Sequence, residues 1–145
     1  SHYPMPGRPD LIRLALWSRN QRGECQAVAS HETALAIHEL SDVMPGRIHL
    51  TVPPGFRKVP SRNCVLHVGK LAPRDWTSHG GYRVTTPLRT LFDVAESGLS
   101  QEFLNQAVAQ ALARGMVREK HLQKTALGQQ GKARLDAALK ARGPS

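Results

Sequence analysis

The sequence predicts an α+β fold: a small, mainly antiparallel sheet of about four strands in the middle of the chain, packed by N-terminal helices and followed by a C-terminal helical subdomain. Three observations lead there. Apolar residues recur at helical spacing before residue 43 and after residue 87. Between them, Arg47-Ile48-His49-Leu50-Thr51-Val52 alternates strictly, the mark of a half-buried strand. Gly80-Gly81, with Trp76 before it and Tyr82 and Val84 after it, tolerates the positive φ of a tight hairpin. The 145 residues suit one domain. The chain reads as a single unit, 1–145, with a helical part at 1–43, a β-rich part at 44–86 and a second helical part at 87–142.

Each element has a local cause. Pro9 and Asp10 suit the first turn of a helix whose apolar body is Leu11, Ile12, Leu14, Ala15, Leu16 and Trp17. Ala27-Val28-Ala29 reads as a short apolar link to Ser30, an N-cap for a helix carrying Ala34, Ile37 and Leu40 on one face. Pro45-Gly46 ends that helix. The strand 47–52 is stopped by Pro53-Pro54-Gly55, since proline cannot donate to a ladder. A second strand spans Asn63–Val68, with Cys64, Leu66 and Val68 inward and His67 outward. Thr86-Pro87 caps a helix with Leu88, Leu91, Phe92 and Ala95 in register, and Gly98 stops it. Ser100 caps the next, which ends near Gly115; two shorter helices, Glu119–Leu127 and Lys132–Ala141, close the chain.

Charge is unevenly distributed. The formal net charge is +9. Residues 44–90 hold eight basic side chains against Asp75 alone, a net of +7, while residues 1–43 sum to −1. A basic excess of this kind favours a polyanionic partner. The nucleic-acid-contacting candidates are Arg47, His49, Arg57, Lys58, Arg62, Lys70, Arg74, Arg83 and Arg89. Aromatic residues make up only 5%, which disfavours recognition of a single strand by a run of stacked bases and favours contact with a duplex backbone.

Other chemistries find little support. No apolar run approaches the roughly 18 residues that span a bilayer, and the start lacks a signal-peptide layout. Cys25 and Cys64 match no zinc spacing and read as reduced thiols of a cytoplasmic protein. No metal or cofactor is expected. A restriction-type nuclease needs an Asp and a Glu-x-Lys on neighbouring strands; only Asp75 falls among the strands and no Glu-x-Lys exists. His31 and His38 read as a packing or capping pair rather than metal ligands. Arg89 and Asp93 read as an i, i+4 ion pair, with a catalytic carboxylate as the sharper alternative. The expectation is a non-enzyme.

The order of three segments carries a resemblance. Ser30-His31-Glu32-Thr33-Ala34-Leu35, then Arg47-Ile48-His49-Leu50-Thr51-Val52-Pro53, then Thr85-Thr86-Pro87-Leu88-Arg89-Thr90-Leu91-Phe92-Asp93 is similar to the AbiEi family of antitoxins, from bacterial abortive-infection toxin–antitoxin systems classed as type IV. The helix Ala107 to Val117 resembles the one before that family's final small helices, so the likeness runs from about Tyr3 to the end. In the family a winged helix-turn-helix normally precedes this region, and His2-Tyr3-Pro4-Met5-Pro6 resembles its exit. The chain thus reads as the C-terminal antitoxin domain without the winged helix, and Ser1 in place of methionine as a cut edge. The resemblance implies transcriptional regulation of the family's own operon through DNA and neutralisation of a nucleotidyltransferase-like toxin, with no stable toxin complex. Its nucleic-acid partner would be operator DNA or the toxin's RNA substrate. The alternatives are a protein-interaction module for toxin binding or dimerisation, and a degenerate nuclease-like domain.

Overall fold

A computed structural model describes residues 8–123 and 128–142. Among them are six helices: α1 (Pro9–Trp17), α2 (His31–Ile37), α3 (Pro87–Ser97), α4 (Gln101–Ala113), α5 (Glu119–Gln123) and α6 (Gln129–Ala141). Five strands, β1 (Val28–Ala29), β2 (Ile48–Val52), β3 (Cys64–Val68), β4 (Trp76–Ser78) and β5 (Arg83–Thr85), form one sheet in the order β3-β2-β1-β5-β4.

The α+β class holds, but the sheet is mixed rather than mainly antiparallel. β1–β2 and β4–β5 are antiparallel, whereas β2–β3 and β1–β5 are parallel. The extra strand is β1, whose two residues are too few to alternate and so read as a link. Its central place has a physical basis: both residues are buried, and each edge pairs with a different neighbour. β2 and β3 run parallel because residues 53–63, opened by Pro53 and Pro54, form a crossover instead of a tight turn. The glycine turn does make a hairpin: Ser78 pairs with Arg83, and Gly80 and Gly81 take φ of 60° and 102°.

Register divides the sheet into two faces. Ala29, Ile48, Leu50, Val52, Leu66 and Val84 share one, which packs under α1 through Leu11 and Ala15. His49, Thr51, Val65, His67, Val28 and Arg83 share the other. Val68, expected inward, is 70% exposed because it ends edge strand β3 beyond the cover of α1. The helices build a second core from Leu35, Leu91, Val94, Leu104, Val108 and Leu135, all essentially solvent-free. α2 joins the two cores, giving Leu35 to one and Ala34 and Ile37 to the other.

Several caps are as the residues dictate. Thr86 accepts from the Arg89 amide and Ser100 from the Phe103 amide, and Gly98 closes α3 at φ 96°. Ser30 does not cap α2; its hydroxyl is engaged on the sheet instead. Helix α2 ends at Ile37, so Leu40 reaches the core from the turn that follows, where Glu39 and Ser41 take positive φ. The last two helices are Glu119–Gln123 and Gln129–Ala141; the remainder of the expected Glu119–Leu127 helix lies outside the described residues.

Leu91 of α3 is fully buried in the helical core. Leu91→Ala is expected to lower unfolding free energy by about 2–5 kcal/mol, read from denaturant midpoints at unchanged m-value.

Candidate functional site

The nine basic candidates do not gather on one surface. Arg47 and Arg62 precede the parallel strands β2 and β3 and so share one end of that pair; Arg47 Nε and Nη2 donate to the Arg62 carbonyl at 3.1 and 2.7 Å. Arg57, Lys58 and Lys70 follow the same strands and lie at the other end, about 16 Å away for a five-residue strand. Arg83 begins β5 level with Thr51, close to that second group. Arg74 sits in a 3₁₀ turn, Pro73–Asp75, beside the far edge strand β4.

What they share is uncancelled charge. Among the described residues, no carboxylate pairs with Arg47, Arg57, Lys58, Arg62, Lys70, Arg74 or Arg83. All but Arg83 are exposed. Besides Arg47, two are tethered by backbone carbonyls. Lys58 Nζ donates to the Trp17 and Arg19 carbonyls at the C-terminus of α1, at 2.6 and 2.8 Å. Arg83 donates to the Cys25 carbonyl and lies 4.2 Å over the Trp76 ring. The other two candidates differ. Arg89 is held by Asp93, 3.0 Å away, with Asp75 at 3.8 Å, so its charge is spent locally. His49 is half-buried among other imidazoles.

That imidazole group was not legible in the sequence. His67, outward as expected on the face opposite Cys64 and Leu66, stacks on His31 with ring centroids 3.6 Å apart and planes 12° from parallel. His49 Nδ1 and His67 Nε2 share a hydrogen bond of 2.9 Å. His31 and His38 do not act together: His38 Nε2 instead meets the Thr85 carbonyl at 2.7 Å. Thr51 Oγ1 donates to Ser30 Oγ at 2.7 Å, and Ser30 Oγ lies 2.8 Å from His31 Nδ1. Among the described residues His31 Nδ1 is the one acceptor within reach of the buried Ser30 hydroxyl proton, so that hydroxyl donates to Nδ1 and the neutral ring carries its proton on Nε2. His31 holds φ at 53°, a left-handed conformation costly for a β-carbon-bearing residue and maintained by these contacts.

Burial, then the neighbouring His67 and His49 and the more distant Arg89, push the His31 imidazole down to about 3, so it is neutral near pH 7. His49 and His67 are lowered too, chiefly by burial. Across the opening, Asp93 moves the other way. Burial lifts its carboxyl to about 6 against the opposing pull of Arg89, with Asp75 and Glu96 adding to the rise. Asp93 Oδ1 accepts from Arg89, but Oδ2 is buried and has no hydrogen-bond partner among the described residues. His31, Thr51, His67, Gly69, Arg89, Asp93, Glu96 and Ser97 line a cavity of about 290 Å³. Among the described residues no cluster of His, Cys, Asp or Glu has the geometry to hold a metal. Both cysteines are free thiols.

The three segments that meet here (30–35, 47–53 and 85–93) lie within residues 27–140, the stretch matched by a family model described as the AbiEi antitoxin C-terminal domain. The chain belongs to the AbiEi antitoxin family. That membership brings an antitoxin role within a toxin–antitoxin system, in a regulatory and non-catalytic family. The AbiEi match begins at Ala27, so α1 lies outside it while the whole sheet, helices α2–α5 and all but the last residue of α6 lie within it. A comparison with curated proteins finds no match. No helix among the described residues is long and apolar enough to cross a membrane.

The pocket carries a pH signature. Above its unfolded value near 4, an unfolded Asp93 ionises freely, whereas the folded carboxyl stays protonated up to about 6. Folded protein therefore binds more protons in that window, and this residue's contribution to stability falls as pH rises through it. Relative to the wild type, Asp93→Asn should gain stability between pH 4 and 6 and level off above, measured by chemical denaturation at each pH. A constant difference across that range would contradict the buried-carboxyl account.

Proposed function

We propose that this AbiEi domain is a non-enzymatic antitoxin module of the bacterial cytoplasm that opposes a nucleotidyltransferase-like toxin without forming a stable complex with it. In this reading its β-rich third touches the sugar–phosphate backbone of operator DNA or of the toxin's RNA substrate. The supporting observation is the net +7 of residues 44–90, borne by arginines and lysines with no carboxylate pairing Arg47, Arg57, Lys58, Arg62, Lys70, Arg74 or Arg83 among the described residues. Charges arranged to solubilise a protein are interspersed with opposite signs; a one-sign excess raises the local concentration of an anionic polymer. Because the cations sit at both ends of the β2–β3 pair, a strand of phosphates has contacts over about 16 Å, roughly five times the 3.4 Å axial spacing of phosphates along one strand of a duplex.

Arg47, Arg57 and Lys70 are exposed, so reversing them leaves the core intact. The triple variant Arg47→Glu, Arg57→Glu, Lys70→Glu should lose nucleic-acid retention and weaken rescue of toxin-poisoned cells. In the wild type, log K should fall linearly with log[salt], and each removed phosphate contact should reduce that slope by about one. Full rescue and unchanged retention by the triple variant would reject the mechanism. A stoichiometric toxin complex at moderate salt would point to a protein-interaction module instead.

A further inference from the structure

The cavity beside the stacked histidines has a chemistry of its own. It is poorly suited to a phosphate. Its two imidazoles, His31 and His67, are neutral near pH 7, its one guanidinium is already held by Asp93 with Asp75 nearby, and Glu96 adds negative charge at the rim. It is also not merely apolar filler, because it carries donors and acceptors with unused capacity. His31 Nε2–H and the Arg89 nitrogens donate; Asp93 Oδ2 is a buried acceptor without a partner among the described residues. A buried acceptor left unmade costs about 1–3 kcal/mol, so a ligand that supplies an N–H there recovers it.

The surroundings narrow the ligand further. Thr51 and Gly69 line this cavity and also a second of about 240 Å³ that includes Trp76 and Arg83, so the two cavities adjoin at these residues. Lys70 follows Gly69 directly. A planar group in the cavity can therefore be joined to an anionic backbone running toward Lys70 and Arg83. A volume near 290 Å³ suits one heterocycle and excludes a stack of several.

We propose that the His31–His67–Arg89–Asp93 cavity receives a single unpaired nucleobase, and that it favours a base whose edge bears an exocyclic amino group over one bearing a carbonyl in that place. A turn of the Asp93 carboxylate about its broad χ2 brings the buried Oδ2 to the amino N–H, while a ring or carbonyl acceptor of the base meets Arg89 or His31 Nε2–H. This is the edge readout by which carboxylates select cytosine N4 and by which pockets read a base taken out of its stack. The site deepens the nucleic-acid reading above and rests on it. Backbone cations set affinity; this pocket sets preference.

Twelve-nucleotide strands of oligo-C and oligo-U, with oligo-dC and oligo-dT in parallel, test it on the full chain by fluorescence anisotropy at fixed salt. The paired sugars tell whether the base comes from RNA or DNA. Cytosine should bind at least fivefold tighter than uracil or thymine, in line with one discriminating contact. The imidazole Cε1–H resonances of His31 and His67 should shift on addition of CMP more than of UMP. Asp93→Asn should abolish the preference but keep salt-dependent binding. Ser97→Trp, placed at the exposed rim, should do the same without touching the Arg89 ion pair. Equal binding of the two pyrimidines, a preference that survives Asp93→Asn, or saturation of the histidine shifts by agmatine alone would overturn the proposal. Equal pyrimidine binding that still disappears in the triple Glu variant leaves the backbone reading standing and removes the pocket. No binding of any strand at low salt removes both.

Discussion

The sheet depends on two residues. Val28 and Ala29 pair with β2 on one side and β5 on the other, so this short strand joins the β2–β3 and β4–β5 ribbons into one sheet. So brief a strand is stable because it is central: both residues are buried, and their backbone groups find partners on each edge. The chain then turns at once into α2. That immediate exit carries Ser30 and His31 onto the polar face of the sheet, where Thr51, His49 and His67 await them. A longer central strand would have delivered the helix elsewhere.

From that junction the two cores follow. α2 is short and presents Leu35 to the helices and Ala34 to the sheet, so it sits between them as a shared wedge. Its end is fixed as firmly as its start: Arg114, at the C-terminal cap of α4, donates to the His38 and Glu39 carbonyls, and His38 itself reaches the Thr85 carbonyl. Thr85 is in turn tied to Thr90 through their hydroxyls, 2.6 Å apart. These contacts orient α3 so that Arg89 and Asp93, one turn apart, face the histidines. An ion pair that would contribute only a few tenths of a kcal/mol on an open helix is thereby placed where one of its oxygens is out of water.

Much of this was legible along the chain. Local signals wrote themselves plainly: the alternation of Ile48, Leu50 and Val52, the glycine hairpin, the Thr86 and Ser100 caps and the Gly98 stop all produced the elements expected of them. What was not legible was pairing at a distance. Nothing in the spacing of His31, His49 and His67 says that β2 and β3 run parallel, and only that register brings Thr51 beside His67 and aligns the rings. A two-residue strand offers no periodicity, so β1 was hidden for the same reason. The charge excess of the middle third was visible, but its division between the two ends of the sheet was not. Sequence distance between Arg47 and Lys70 does not reveal strand direction.

One contact far from the histidines bears on them all the same. Gly131, in the body of α6, sits so close to α3 that a β-carbon there would stand 2.6 Å from Glu96 Cγ, and the Glu96 carboxylate accepts the Gly128 amide at 2.7 Å. Glycine within a helix sacrifices about 1 kcal/mol relative to alanine, and here the loss secures a close approach between helices. The C-terminal helix thus clamps the residue that walls one side of the cavity. A single added methyl group on α6 would be transmitted as a displaced carboxylate at the mouth of the cavity, making the tail of the domain a silent arbiter of the shape of a pocket it does not itself line.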